Sequence, residues 1–188
     1  MSRLDQVLGA IDAANSGDPT LEDGQPAALL YGRRMSARLA VFAPQAGELL
    51  QIAVRGQHIE RWAIPRAEYP MDKPGYFRWR NALKARHAQR LAEIMSEAGF
   101  PAEDAERVGQ IVRKERIKAD AEAQTLEDVA CLVFLEFYSA PFMAKHDEAK
   151  CVDIVRKTWA KMSGAGHAAA LRLTLAPEVG AIVGKALG

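Results

Sequence analysis

The chain predicts an all-α fold, a single helical domain over residues 1–188, and three observations carry that prediction. Apolar residues recur at helical spacing almost from end to end. No stretch alternates apolar and polar residues as a half-buried strand does, and no internal repeat is visible. The length of 188 residues fits one domain with a sizeable core.

Each element has its own signal. Leu4, Val7, Leu8 and Ile11 form the apolar stripe of a first helix, which ends near Asn15 to Pro19. Residues 16–26 read as a polar loop, rich in Gly, Asp and Pro. A second helix is expected over 27–42, with Pro44 closing it, and a third over 46–62. Pro65 stops the third, because proline disfavours helical geometry in the residue before it. Residues 63–75 hold Pro65, Pro70, Pro74 and Gly75 and form a rigid irregular loop. A long fourth helix follows over 75–98, with Gly99 as its terminating residue. Pro101 starts a fifth at its first helical position. Thr125-Leu126-Glu127-Asp128 looks like a capping box opening an apolar helix, with Asp128 as the partner of Thr125. Two more helical stretches are expected over 146–162 and 177–187.

An apolar content of 49% excludes collagen, mucin and bulk disorder. A formal charge of +1 excludes a polycation, yet the charge is unevenly placed. Residues 55–90 carry nine Lys/Arg against three Asp/Glu, whereas residues 1–30 carry one Arg and five acids. Cys131 and Cys151 belong to no CxxC pair, and Cys131 sits in an apolar run, so a buried inert thiol is expected there. The N-terminal residues lack the pattern of a secretory signal, and no stretch reaches the ~18 apolar residues of a membrane span. A cytoplasmic protein is the expectation.

Polar chemistry concentrates between Gln57 and Arg80, where aromatic rings, prolines and guanidiniums crowd together. Arginine recognises phosphate or carboxylate with two parallel bonds and stacks on rings. The stretch is therefore either an anion pocket with an aromatic wall or an Arg/Trp/Pro lattice that pins the loop. In the first case Arg61, Arg66, Arg80 and Lys84 clamp the anion, and Trp62, Tyr69 or Trp79 stacks a base. His87 lies on the inward stripe of the fourth helix with Leu83 and Leu91, and His58 extends the inward stripe of the third. The pair is either core histidine or a shared polar site. Asp128, at the mouth of a buried helix, is either a cap or the third member of that site. Two imidazoles and a carboxylate suit a divalent metal. The run from Arg113 to Lys118 reads as a solvated helix end. Acids interleave with the bases of 145–161, so that stretch reads as salt-bridged helix surface.

The segments His58-Ile59-Glu60-Arg61-Trp62-Ala63-Ile64-Pro65-Arg66, Tyr69-Pro70, Tyr76-Phe77-Arg78-Trp79-Arg80, 125–136 and Lys145-His146-Asp147-Glu148 resemble domain-of-unknown-function family 4202. That resemblance covers nearly the whole chain and implies no established activity. The order of helices and inward histidines also resembles, more distantly, the HD-domain metal-dependent phosphohydrolases. That likeness implies an HD-like bundle in which His58, His87 and Asp128 hold a divalent metal and act as the catalytic set. The chain departs from the HD pattern twice: the doublet's Asp is Ile59, and the early His falls near Tyr31 or Arg34. Lys161-Met162-Ser163 echoes part of a class I aminoacyl-tRNA synthetase signature, but no nucleotide-binding β-α-β pattern accompanies it.

The expected function is accordingly an HD-like domain that acts on or binds a phosphorylated small molecule or nucleotide, a divergent phosphohydrolase in its catalytic form. The alternatives are a non-catalytic module for a nucleotide, RNA or another protein, and a plain interaction scaffold.

Overall fold

The computed structural model describes all 188 residues and is built from ten α-helices and one two-stranded hairpin. The chain forms two compact units, Met1–Leu126 and Glu127–Gly188. The all-α expectation holds.

The first unit begins with α1, Arg3–Asn15, capped reciprocally by Ser2 and Asp5. The expected polar loop contains a short hairpin, β1 Leu21–Glu22 and β2 Gln25–Pro26. Its turn is Asp23-Gly24, both at positive φ, the conformation that an Asp-Gly hairpin turn adopts. Arg34 ties the hairpin down through Glu22 and Asp23. Helix α2 runs Ala27–Phe42, as predicted. Pro26 precedes it and cannot cap, so the Asp18 carboxylate accepts from the Ala28 amide at 2.9 Å instead.

Helix α3 covers only Glu48–Gly56, shorter than the expected 46–62. Another α-helical turn would direct the Glu60 amide onto Gly56. That amide donates to Asn15 Oδ1 at 3.0 Å instead, and Glu60 turns left-handed at φ 49°. His58 therefore sits on a turn just beyond α3 rather than on its last stripe. Helix α4, Lys73–Glu97, is capped by Asp72 and ends at Gly99, which has φ 79°. Helix α5 is Ala102–Arg113, with Pro101 as its cap, so it begins one position later than expected. It packs chiefly on α4. Val7, Ile11, Met35, Ile52, Leu91, Met95 and Ile111 are fully enclosed between these helices.

Helix α6, Ala121–Val133, contains the boundary between the units and corrects the capping expectation. Asp120 is its cap, accepting from the Glu122 and Ala123 amides at 3.0 and 3.2 Å. Thr125 lies inside the helix, where its hydroxyl donates to the Ala121 carbonyl. Asp128 is consequently a mid-helix residue, not a first-turn acid.

In the second unit the helix widens to a π-turn over Phe134–Tyr138 and continues as α7, Ser139–Met143. Pro141 has no amide to close onto Phe137, and the widened turn absorbs that loss. Then come α8, Glu148–Trp159, α9, Gly164–Ala170, and α10, Pro177–Leu187, the last where expected. Helices α8 and α10 pack together, burying Cys151, Val155 and Val179. Both cysteines are free and buried, which for Cys131 the apolar run implied. No helix is long and apolar enough to cross a membrane.

Candidate functional site

The two inward histidines meet because α3 ends hard against α4. A Cβ on Gly56 would lie 2.4 Å from Leu91 Cδ2, so a larger residue here would displace the buried Leu91 side chain. Beyond it, the His58 and His87 ring centroids are 6.1 Å apart. Tyr31, from α2, stacks on His58 at 4.5 Å and 18° between planes. The Tyr31 hydroxyl in turn accepts from Gln57 Nε2. Asn15 and Glu60 hold the turn from the other side, with the Glu60 carboxylate taking Arg86 and Arg90.

Arg61 carries the main charge of this site. Its Nη1 lies 3.1 Å from His58 Nε2. Guanidinium is a donor only, so His58 Nε2 must be the acceptor and the ring is neutral with its proton on Nδ1. Burial pushes the His58 pKa well down, and the Arg61 charge adds to that. The other face of Arg61 lies over the Trp79 ring, 4.9 Å from its centroid. Burial also lowers the pKa of Arg61, and the charged or ionisable neighbours bearing on it are Tyr31, Arg80 and Tyr76, with no carboxylate among them. Arg61 is thus a partly buried cation whose contacts are an imidazole and an indole.

Arg80 stands near it on α4, its guanidinium 5.8 Å from the Tyr76 ring and 3.5 Å from the Tyr76 hydroxyl. Lys84 follows Arg80 by one helical turn and shares its side of α4. Arg66 has a different role. It donates to the backbone carbonyls of Tyr69 and Asp72, at 2.9 and 3.4 Å, and so fixes the proline-rich loop. For Arg66 the pinning role holds, while Arg61 and Arg80 keep free donor edges.

The aromatic residues divide in the same way. Trp79 is 9% exposed and donates its indole N–H to the Ile64 carbonyl at 2.8 Å, so it forms a wall rather than an open stacking face. Trp62 lies toward Gly17 at the end of α1, and Tyr69 serves the site through its carbonyl. The rings nearer solvent are Tyr76 and Phe77, which the sequence reading quoted but did not assign. Their signal was spacing: Tyr76 precedes Trp79 by three residues and Arg80 by four, which puts all three on one helix face.

His87 is 2% exposed, and neither ring nitrogen has a partner in hydrogen-bonding geometry. Burial lowers its pKa to about 4; the Ile59 backbone opposes this without reaching hydrogen-bond geometry, and Arg61 and Arg86 reinforce it. It is a neutral imidazole enclosed in the core.

The metal set implied by the HD likeness does not fit these residues. The His58 nitrogen facing the site is already held by a guanidinium, whose positive charge would repel a metal ion. Asp128 accepts from the Ser163 amide at 2.8 Å and the Ser163 hydroxyl at 2.5 Å, and so anchors the start of α9. A Cβ on Gly166 would lie 2.5 Å from Asp128 Oδ1, so that contact is tight on both sides. No group of three or more His, Cys, Asp or Glu side chains is placed to hold a metal ion. Lys161-Met162-Ser163 is the turn that opens α9, which accounts for that tripeptide structurally. In the basic run after α5, Arg113 is held by Glu106 and Glu115.

No curated protein and no solved structure matches the chain. One family does, over residues 5–183, and its extent agrees with the resemblance read from the Arg/Trp/Pro stretch and the α6 segment. The chain belongs to DUF4202, a domain of unknown function.

Proposed function

We propose that this protein binds a phosphorylated small molecule or nucleotide through Arg61 and Arg80, using built-in guanidiniums rather than a metal as its cations. The observation that carries the reading is Arg61, a partly buried cation with an imidazole and an indole beside it and no acid to neutralise it. Holding such a charge out of water without a counter-ion is costly, and a bound anion removes that cost. The surroundings suit a phosphate: two guanidiniums with open donors and a rigid loop clamped by Arg66.

Binding rather than hydrolysis is the reading the geometry favours. His58 Nε2 accepts from Arg61, so that lone pair is not open to a substrate proton. His87, neutral down to about pH 4, is enclosed away from solvent. A small ligand is favoured over an RNA surface because Arg113, in the second basic cluster, is neutralised by two acids. A cytoplasmic setting goes with this reading, since phosphorylated metabolites are found there and both thiols are free.

The test is calorimetric titration of the full chain with pyrophosphate and with nucleoside monophosphates, with and without EDTA. Saturable binding that EDTA leaves unchanged, and that Arg61→Gln weakens at least about tenfold, is expected from the loss of a charge-assisted contact. Absence of binding by either class of ligand overturns the proposal.

A further inference from the structure

The aromatic wall of the site runs outward. Trp79, 9% exposed, lies beside Arg61; Tyr76, 40% exposed, is 5.9 Å from Trp79; Phe77, 51% exposed, is 5.9 Å from Tyr76. The charge is thus at the inner end and the apolar ring surface at the outer end. Arg80 links the two, with its guanidinium 5.8 Å from the Tyr76 ring centroid. The exposed edge is built on rigid backbone. A Cβ on Gly75 would lie 2.1 Å from the Pro70 carbonyl oxygen, and Asp72 caps the helix that carries both rings.

We infer that the ligand of this site is a nucleotide whose base packs on the exposed rings of Tyr76 and Phe77 while its phosphate meets Arg61 and Arg80. The inference rests on the anion-binding reading above and names the ligand class that the outer half of the site selects. A simple phosphorylated sugar would use the guanidiniums and leave two large rings in water. A nucleotide carries its anion and its planar π-face on opposite sides of a ribose, matching a site with a cationic inner end and an aromatic outer end. Base–aromatic stacking tolerates any base, because each has a π-face. The wall therefore selects nucleotides as a class rather than one base. Lys73 and Arg80, one helical turn before and after the rings, match the charge of such a ligand, and the acid beside Lys73, Asp72, has its Oδ1 engaged by the Gly75 amide.

The experiment compares pyrophosphate, ribose 5-phosphate, AMP, GMP and a ten-residue oligoribonucleotide on the wild-type chain and on Tyr76→Ala/Phe77→Ser and Arg61→Gln. Both rings are substantially exposed, so the double variant is expected to fold; circular dichroism checks this, and Phe77→Ser alone serves if it does not. The expected result is AMP and GMP binding about tenfold more tightly than ribose 5-phosphate, with that advantage lost in the ring variant; any effect of Tyr76 on Arg80 falls equally on ribose 5-phosphate, so the ratio reads the stacking. Equal affinity for ribose 5-phosphate and AMP overturns the inference and leaves the anion site standing. So does a marked preference for the oligonucleotide with a steep salt dependence, which marks an RNA surface. Failure of every ligand, pyrophosphate included, overturns the anion site and the inference together.

Discussion

The Arg61 guanidinium donates to His58 Nε2 at 3.1 Å, and this contact fixes both residues' chemistry. It makes His58 a neutral acceptor, and the remaining Arg61 donors are the ones proposed to meet the anion. An imidazole is a weak partner for a guanidinium beside a strong one such as phosphate. Substituting His58 by Gln keeps an acceptor in place, so anion affinity should stay within about threefold of wild type, whereas His58→Lys sets a second cation against Arg61. The lysine variant should lose at least about 1 kcal/mol of stability in the absence of anion, by like-charge repulsion at short range. Urea unfolding with and without pyrophosphate measures both, and a lysine variant as stable as wild type contradicts the geometry.

His87 gives a second prediction. Its two nitrogens are enclosed without hydrogen-bond partners, so the polar side chain there contributes no compensating bond. Replacing it with Leu removes buried unsatisfied groups, and stability at pH 7.5 should be unchanged or raised by about 1 kcal/mol. A loss above about 2 kcal/mol would falsify this assignment.

The same residue sets an acid dependence. Its folded pKa of about 4 lies below the ordinary value of 6.5. Between those values the unfolded chain holds a proton that the folded chain refuses. Stability is therefore complete above about pH 6.5 and falls as the pH drops toward 4, by at most about 3 kcal/mol from this group. Denaturation midpoints from pH 7.5 to 4.5 should fall less steeply in His87→Leu than in wild type. Parallel curves would assign the acid sensitivity elsewhere.

The start of α6 supplies a fourth test. Asp120 accepts from two helix amides and takes Arg107 at 2.6 and 2.8 Å, and its pKa is held down at about 2, first by the Arg107 bond. Asp120→Ala should cost about 1–2 kcal/mol, in the range of a lost cap. Thr125→Ala removes only a hydroxyl bonded back onto its own helix and should change stability by less than about 0.5 kcal/mol. Thermal unfolding of the two variants separates the observed helix start from the one expected at Thr125.

Asp128 anchors α9 through Ser163, and that contact makes a stability prediction. Asp128→Ala leaves the Ser163 amide and hydroxyl without their acceptor and should cost about 2–3 kcal/mol, while pyrophosphate affinity of the folded fraction should hold. Calorimetric unfolding paired with titration at a temperature where the variant is folded makes the comparison. A variant of wild-type stability that fails to bind would return Asp128 to the site.

The pattern of what was legible in the sequence follows from these contacts. Helix α2 was readable to the residue because Pro26 and the Ala43-Pro44 pair bracket a periodic stretch. The meeting of His58 and His87 was readable from their inward registers, although His58 lies on a turn. That turn depends on Asn15, 45 residues away in sequence, accepting the Glu60 amide, and no local pattern announces it. Thr125 mimicked a capping box because Ser/Thr followed by acids recurs inside helices, and the Asp120 cap one turn earlier took precedence. The Arg-rich stretch was read as either a pocket or a lattice; Arg66 pins the loop as a lattice would, whereas Arg61 lies against His58 and Trp79. Separating them required knowing which guanidinium already had carbonyl partners. The exposed rings Tyr76 and Phe77 were passed over in favour of Trp62, Tyr69 and Trp79, and the larger apolar area of Trp79 draws it into the wall.

The most direct test of the account is the affinity of pyrophosphate for the wild-type chain and for Arg61→Gln at fixed salt, in the presence of EDTA. The expected result is EDTA-independent binding that weakens at least about tenfold in a variant that remains folded. Equal affinity in the two proteins, or binding that vanishes with EDTA, would contradict it.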